Sequence, residues 1–287
     1  MEKICLNSII FSAAARILFL LAFLGVLPDS MKNQTFETTE ININTHKLQN
    51  PVRLAVLSDL HMHEYGKDNA DLVSAVRELD PDLITVIGDM MNKSENEYGI
   101  VITLCRQLTE IAPVYFVYGN HEYDMIIKEK SKIGDDLKEI GVNVLDSEWH
   151  TIEVNGDLID IGGLSRSPRY YNWTDTLMMQ SYLQSKNFRL LLVHDPGFFD
   201  PRYTTNPDKT LIGKPIDVAL CGHRHGGQVD IPYIGGFYMP DVGFFPDLTA
   251  GDNLVGKTHV IVSRGLGDHN ILPRINNPYE ILSVTIQ

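Results

Sequence analysis

Five short polar clusters carry the residue types that bind hard or borderline metal ions. They are Ser58-Asp59-Leu60-His61, Gly88-Asp89, Gly119-Asn120-His121-Glu122, His194-Asp195-Pro196 and Gly222-His223-Arg224-His225. Carboxylate, imidazole and amide oxygen together suit Mn, Fe or Zn. The three cysteines, Cys5, Cys105 and Cys221, form no CxxC pair, so neither a disulfide framework nor a zinc knuckle is implied. Two ions about 3.5–4 Å apart need a shared ligand, and a carboxylate with two oxygens is the natural bridge. A lone Asp-x-His or His-x-His is more often a turn or a cap. Five clusters of this kind in one chain call for a common explanation.

Each cluster follows a short apolar run, at residues 52–57, 83–87, 114–118, 189–193 and 216–220. Such runs read as buried strands. Ligand sites in open α/β sheets lie beyond the carboxyl ends of strands, so the five clusters are expected at one edge. Helical spacing falls between the runs at residues 71–79 and 100–111, with a charged helix at about 125–140 and another around 174–185. Asn155-Gly156-Asp157 between two apolar stretches signals a hairpin. The last third is rich in Gly, Pro and aromatics, with strands expected near Val260 and at 281–286. Strand–helix alternation followed by hairpins predicts an α/β protein with mixed sheets, not an all-parallel doubly wound fold. The glycines before Asp89, Asn120 and His223 are expected to let the backbone turn sharply at strand ends.

The formal net charge of −13 over 287 residues argues against a nucleic-acid partner, which demands clustered Lys and Arg. An acidic chain can still take a phosphorylated substrate where bound metal ions reverse the local charge. Residues 8–27 are apolar throughout except for Arg16; Lys3 precedes them, while Asp29, Glu37 and Glu40 follow. Twenty such residues span a bilayer if Arg16 snorkels towards the inner face. The next residues are Pro28-Asp29-Ser30, with no Ala-x-Ala cleavage site. Residues 1–30 are therefore expected to be an uncleaved signal-anchor, with the remainder outside the cytoplasm; secretion after signal cleavage is the alternative. Residues 31–50 are polar and read as a linker or an edge strand, and residues 51–287 as one domain.

The order D-L-H, G-D, G-N-H-E, H and G-H-x-H resembles the calcineurin-like metallophosphoesterase superfamily, over roughly residues 51–287. The Gly226-Gly227-Gln228 extension and the apolar N-terminus resemble a bacterial branch of membrane-associated phosphohydrolases. The resemblance implies an αββα sandwich, two mixed sheets flanked by helices, and two divalent ions. Asp59, His61, Asp89 and His225 would bind the first ion, and Asp89, Asn120, His194 and His223 the second, with Asp89 bridging. His121 would act on the substrate, stabilising the phosphorus centre and helping to protonate the leaving oxygen, while hydroxide held between the ions attacks. Many members place an Asp a few residues after the Gly-Asp pair, where this chain has Met90-Met91-Asn92, expected at most to support the ligands.

Other residues have plainer readings. Alone, His194 would read as a core histidine; its place in the motif order favours ligation. His63 and Glu64 suit a solvated loop or ligand support, and His46, His150, His259 and His269 fit no motif. Glu122 is expected to orient its neighbours or cap a helix, Arg224 to form a salt bridge, and Arg264 and Arg274 to pair structurally. Cys105 and Cys221 read as small buried residues. Residues 231–248 hold Tyr233, Phe237, Tyr238, Phe244 and Phe245. They suit either a loop burying its own aromatics or an apolar rim that meets a lipid tail or the bilayer. The expected activity is hydrolysis of a phosphomonoester, phosphodiester or pyrophosphate in a small or lipid-linked substrate. The alternatives are a metal-binding scaffold of the same fold and a metal-dependent nuclease.

Overall fold

A computed structural model describes residues 35–92, 97–165, 167–202, 209–239, 242–268 and 274–287. The candidate anchor at residues 8–27 lies outside them, as does His269. Among the described residues no helix is long and apolar enough to cross a membrane.

The first half alternates strand and helix: β1 (Phe36–Ile43), β2 (Val52–Leu57), α1 (Ala70–Glu78), β3 (Leu83–Val86), α2 (Gly99–Thr109), β4 (Val114–Phe116), α3 (Asn120–Glu129), α4 (Ile133–Glu139) and β5 (Asn143–Val144). The second half holds β6 (Glu148–Val154), β7 (Asp157–Leu164), α5 (Trp173–Tyr182), β8 (Phe188–Val193) and β9 (Val218–Cys221). Two miniature hairpins follow, β10 (Asp230–Ile231) with β11 (Gly235–Gly236) and β12 (Tyr238–Met239) with β13 (Gly243–Phe244). The chain closes with β14 (Gly251–Val255), β15 (Thr258–Val262) and β16 (Tyr279–Ile286).

The strands form two six-stranded mixed sheets, ordered β1-β16-β2-β3-β4-β5 and β14-β15-β9-β8-β7-β6. Their faces explain why the strands read as unbroken apolar runs. In β2, Val52, Leu54 and Val56 point into the core between the sheets, while Ala55 and Leu57 face the layer of α1 to α4. In β8, Leu190 and Leu192 enter the intersheet core, and Leu191 and Val193 face Met178, Met179 and Tyr182 of α5. Each fully buried Val or Leu of these strands contributes about 1.5–3 kcal/mol of hydrophobic stabilisation. Helices thus cover the outer faces of two packed sheets.

Two details differ from the sequence reading. The charged helix expected at 125–140 begins earlier, at Asn120, and is broken in two. Lys130 ends α3 in the left-handed region at φ 54°, and α4 starts afresh at Ile133. A non-glycine left-handed cap leaves no Gly or Pro signal to read. The edge strand β14 carried no sequence signal either, because its Gly251-Asp252-Asn253 start is poor strand sequence.

The path of the first sheet fixes one further point. β16 runs antiparallel to β2, so its first residues lie beside the carboxyl end of β2. β1 runs parallel to β16, with Phe36 opposite Tyr279. The described chain therefore enters the domain at the sheet edge where β2, β3 and β4 end.

Candidate metal centre

All five polar clusters sit on the connections leaving β2, β3, β4, β8 and β9, so both sheets feed one edge. Asp59, His61 and His225 form one group of metal-competent side chains, and Asp89, His194 and His223 form a second. In the first, His61 Nε2 lies 3.3 Å from His225 Nε2, which is 3.5 Å from Asp59 Oδ1. His61 Nε2 to Asp59 Oδ1 is 3.9 Å. In the second, His194 Nε2 is 3.1 Å from Asp89 Oδ2. Nitrogen and oxygen ligands bound at about 2.0–2.2 Å stand roughly 3–3.5 Å apart around one ion, so these spacings suit a cation between them. The groups adjoin through His194, whose Nε2 is also 3.9 Å from Asp59 Oδ1.

The hydrogen bonds behind the ligands fit the same purpose. His194 Nδ1 faces the Ile87 carbonyl at 2.6 Å, and His61 Nδ1 faces Asn92 Oδ1 at 3.2 Å. A donor at Nδ1 leaves the Nε2 lone pair directed at the cluster, the arrangement metal-bound histidines require. His225 differs: its Nδ1 lies 3.1 Å from Arg274 Nη2, and a guanidinium can only donate. The Asn120 Oδ1 atom is buried and has no hydrogen-bond partner among the described residues. A buried, orphaned amide oxygen on the residue before His121, whose N–H donates to Asp89, fits a cation ligand. Asp59 Oδ2 accepts from the Ser58 hydroxyl at 2.5 Å, both its oxygens share the His223 N–H at 3.0 and 3.2 Å, and Oδ1 faces the rings of His225, His61 and His194.

Five of these residues hold the backbone where side chains rarely go. Asp59, His61, Asp89, His223 and His225 have φ of 52°, 48°, 51°, 71° and 46°. Left-handed non-glycine residues cost on the order of 1 kcal/mol each and gather at functional sites. The glycines act differently from one another. Only Gly88 adopts the expected left-handed turn, at φ 73°. Gly119 and Gly222 are needed for close approach, since a Cβ there would collide with Asp89 and with Ser58 and Asp59.

Glu122 is the hub of the turns. Its buried carboxylate accepts N–H bonds from Asp89 (2.8 Å), Met90 (2.7 Å), Met91 (3.2 Å) and Gly119 (2.9 Å), the last closing a capping box at the start of α3. Burial and the Asp89 charge push Glu122 up to about 7, while the four donors favour its ionised form. Burial works against charge on His194 too, yet Asp89 and Asp59 outweigh it and raise the imidazole to about 10. Burial likewise opposes the Asp89 charge, and His194 overrides it to hold that carboxyl well below the usual range.

His121 occupies the second position of α3, its ring centroid 4.8 Å from that of His61 and its Nε2 3.9 Å from Asp89 Oδ2. Arg224 is fully buried near Asp195 and Asp200, at 3.8 and 3.9 Å, in the salt-bridge role expected of it. Arg264 pairs with Glu280 at 3.3 Å. Asn92 touches His61 in the supporting role expected at most of its segment, and Arg274, which pairs with Asp268 at 3.2 Å as expected, also reaches His225. His223 and Asn120 are half-buried while the other candidate ligands are buried, so the site opens to solvent beside the second group.

Two helix-flanked mixed sheets bring paired Asp, His and Asn clusters to their shared edge, an arrangement suited to metal-dependent chemistry on phosphate esters. The chain belongs to the calcineurin-like phosphoesterase family, whose model matches residues 52–227. It is 27% identical over 226 residues to phosphodiesterase YaeI of Escherichia coli, covering 76% of each protein. It is 29% identical over 247 residues to the metallophosphoesterase YkuE of Bacillus subtilis, covering 80% of this chain and 78% of that one. Another relative, a Bos taurus protein named transmembrane protein with metallophosphoesterase domain, is 25% identical over 265 residues, which cover 87% of this chain and 56% of that protein.

Proposed function

We propose that this chain is a two-ion phosphohydrolase acting on a phosphate ester or anhydride at a membrane, with His121 as the general acid. The observation that carries this reading is the pair of adjoining ligand groups, supported by the buried Asn120 oxygen that has no hydrogen-bond partner among the described residues. Asp59, His61, Asp89 and His225 would hold one ion, and Asp89, Asn120, His194 and His223 the other, with Asp89 shared. When bound, such ions neutralise charge growing on phosphoryl oxygens and lower the pKa of water. The protein's own part is positioning. Asp89 Oδ1 accepts the His121 N–H at 2.8 Å, which fixes the start of α3 against the ligand turns. His121 is thereby held beside both groups, where its ring can carry a proton to a leaving oxygen.

The membrane setting is supported by the apolar run at residues 8–27 and by the name of the bovine relative. Manganese, iron and zinc all suit the donor set.

The test uses the full chain in detergent, with bound metal measured and matched monoester, diester and pyrophosphate substrates assayed. Wild type should bind two ions per chain and turn over at least one substrate class. Asp89→Ala should lose metal and activity, whereas His121→Ala should keep both ions and lose about 10²–10⁴ in kcat. A wild type that holds fewer than two ions and is no faster than Asp89→Ala would overturn the proposal.

A further inference from the structure

We infer that the mouth of the metal centre docks on a lipid bilayer through the aromatic hairpins β10 to β13, and that the phosphoryl group it takes is borne by a membrane-embedded lipid. The inference rests on the phosphohydrolase reading and adds a docking face and a substrate class to it.

The first support is topological. The chain enters β1 at the same sheet edge as the metal ligands. Phe36, the first residue of β1, packs edge-on against Tyr65 at 4.9 Å, and Tyr65 lies four residues after His61. Only residues 28–35 separate the apolar run from Phe36. Nine steps of chain reach at most about 30 Å, roughly the width of a small domain. A bilayer holding residues 8–27 thus lies within that distance of the site edge. The opposite edge of the sheets is not tethered by this segment.

The second support is the surface at that edge. Phe237 N–H donates to the carbonyls of Gly227 at 3.2 Å and Val229 at 2.8 Å, so the hairpins hang directly on the turn carrying His225. Self-packing accounts for Phe237, whose ring meets those of Phe244 and Phe245 at 5.3 and 5.6 Å. It does not account for the rest. Tyr233 at the tip of the first hairpin is fully exposed, Ile234 is 66% exposed, and Phe244 and Phe245 remain 58% and 49% exposed. Arg202 donates to the Phe245 carbonyl at 3.1 Å and pairs with Asp247 at 2.8 Å, so an ion pair holds the second hairpin in place beside the aromatics. Leu158 and Leu254, at the far ends of their strands, are exposed singly. Clustered aromatics beside a site and beside a membrane tether fit a bilayer surface better than a water-facing loop.

The experiment reconstitutes the full chain in vesicles of phosphatidylcholine and phosphatidylglycerol. Two nitrophenyl phosphodiesters serve as probes, identical in leaving group, one carrying methyl and the other diacylglycerol as its second ester. A triple variant, Tyr233→Ser, Phe244→Ser and Phe245→Ser, should lose about tenfold or more in kcat/KM on the diacylglycerol probe and stay within about twofold of wild type on the methyl probe. Leu254→Ser should change neither. An equal fall on both probes, or no fall on the lipid probe, overturns the inference. If wild type cleaves neither probe, phosphodiester turnover fails, and docking is decided separately by quenching with dibrominated lipids. Tryptophan fluorescence of Tyr233→Trp should then be quenched beyond that of wild type and of Leu254→Trp. Quenching no greater than theirs rejects the docking face whatever the chemistry.

Discussion

Replacing Glu122 with Gln tests how the ligand turns are held. The carboxylate is fully buried, with Asp89 and Gly119 N–H bonded to Oε2 and Met90 and Met91 N–H bonded to Oε1. A glutamine offers an oxygen on one side and an NH₂ on the other, so in either orientation two main-chain donors face a donor. A buried N–H left unpaired costs about 1–3 kcal/mol, so Glu122→Gln should lose roughly 2–6 kcal/mol of folding stability. That is a large share of the roughly 5–15 kcal/mol available to a folded protein. The loss concentrates on the turns of Asp89 and Asn120, so affinity for the ion bound there should fall as well. Urea denaturation of metal-stripped full chain in mild detergent, paired with a metal titration, reads both effects. A stability change below about 0.5 kcal/mol with unchanged metal affinity would refute the hub role, since it would mean that the four N–H groups are satisfied without the carboxylate.

Three further outcomes follow from the same geometry. Gly222→Ala places a methyl group against Ser58 and Asp59, so it should cost about 1–3 kcal/mol and weaken the ion held by Asp59; unchanged metal stoichiometry and stability would contradict the close-approach argument. Asn92→Ala removes a partner of His61 Nδ1 and should lower metal affinity by about 10–100-fold, read by competition with a chelator. In metal-stripped protein His194 is raised to about 10 and is therefore protonated at neutral pH, so an ion must displace that proton. Calorimetric heats of metal binding at neutral pH should accordingly vary with buffer ionisation enthalpy, and apparent affinity should rise with pH up to about 10; identical heats in all buffers would exclude the release.

The parts of this molecule legible in its sequence are those where chemistry and burial are both local. Strands such as β2 and β8 are buried on both faces, so they read as plain apolar runs, and the polar residues ending them stand out at once. The order of those clusters carried the fold through family resemblance. What stayed hidden depends on the tertiary path. His61 and His225 meet across 164 residues, and Arg274 reaches His225 from 49 residues away. Asn92 sits in a segment whose sequence names no partner. The left-handed φ of five candidate ligands is set by how each strand-end turn meets its neighbour; Asp and His tolerate it better than most residues but do not by themselves announce it. The glycines were visible but their reason was not, since Gly119 and Gly222 make room for Asp89 and Asp59 without themselves turning. The break at Lys130 was masked by a continuous charged helical pattern.

The most direct test of the account is an anomalous-diffraction map of the full chain crystallised after loading with manganese. It predicts two peaks, one among Asp59, His61 and His225 and one among Asp89, Asn120, His194 and His223. A single peak, or peaks outside these two groups, would contradict it.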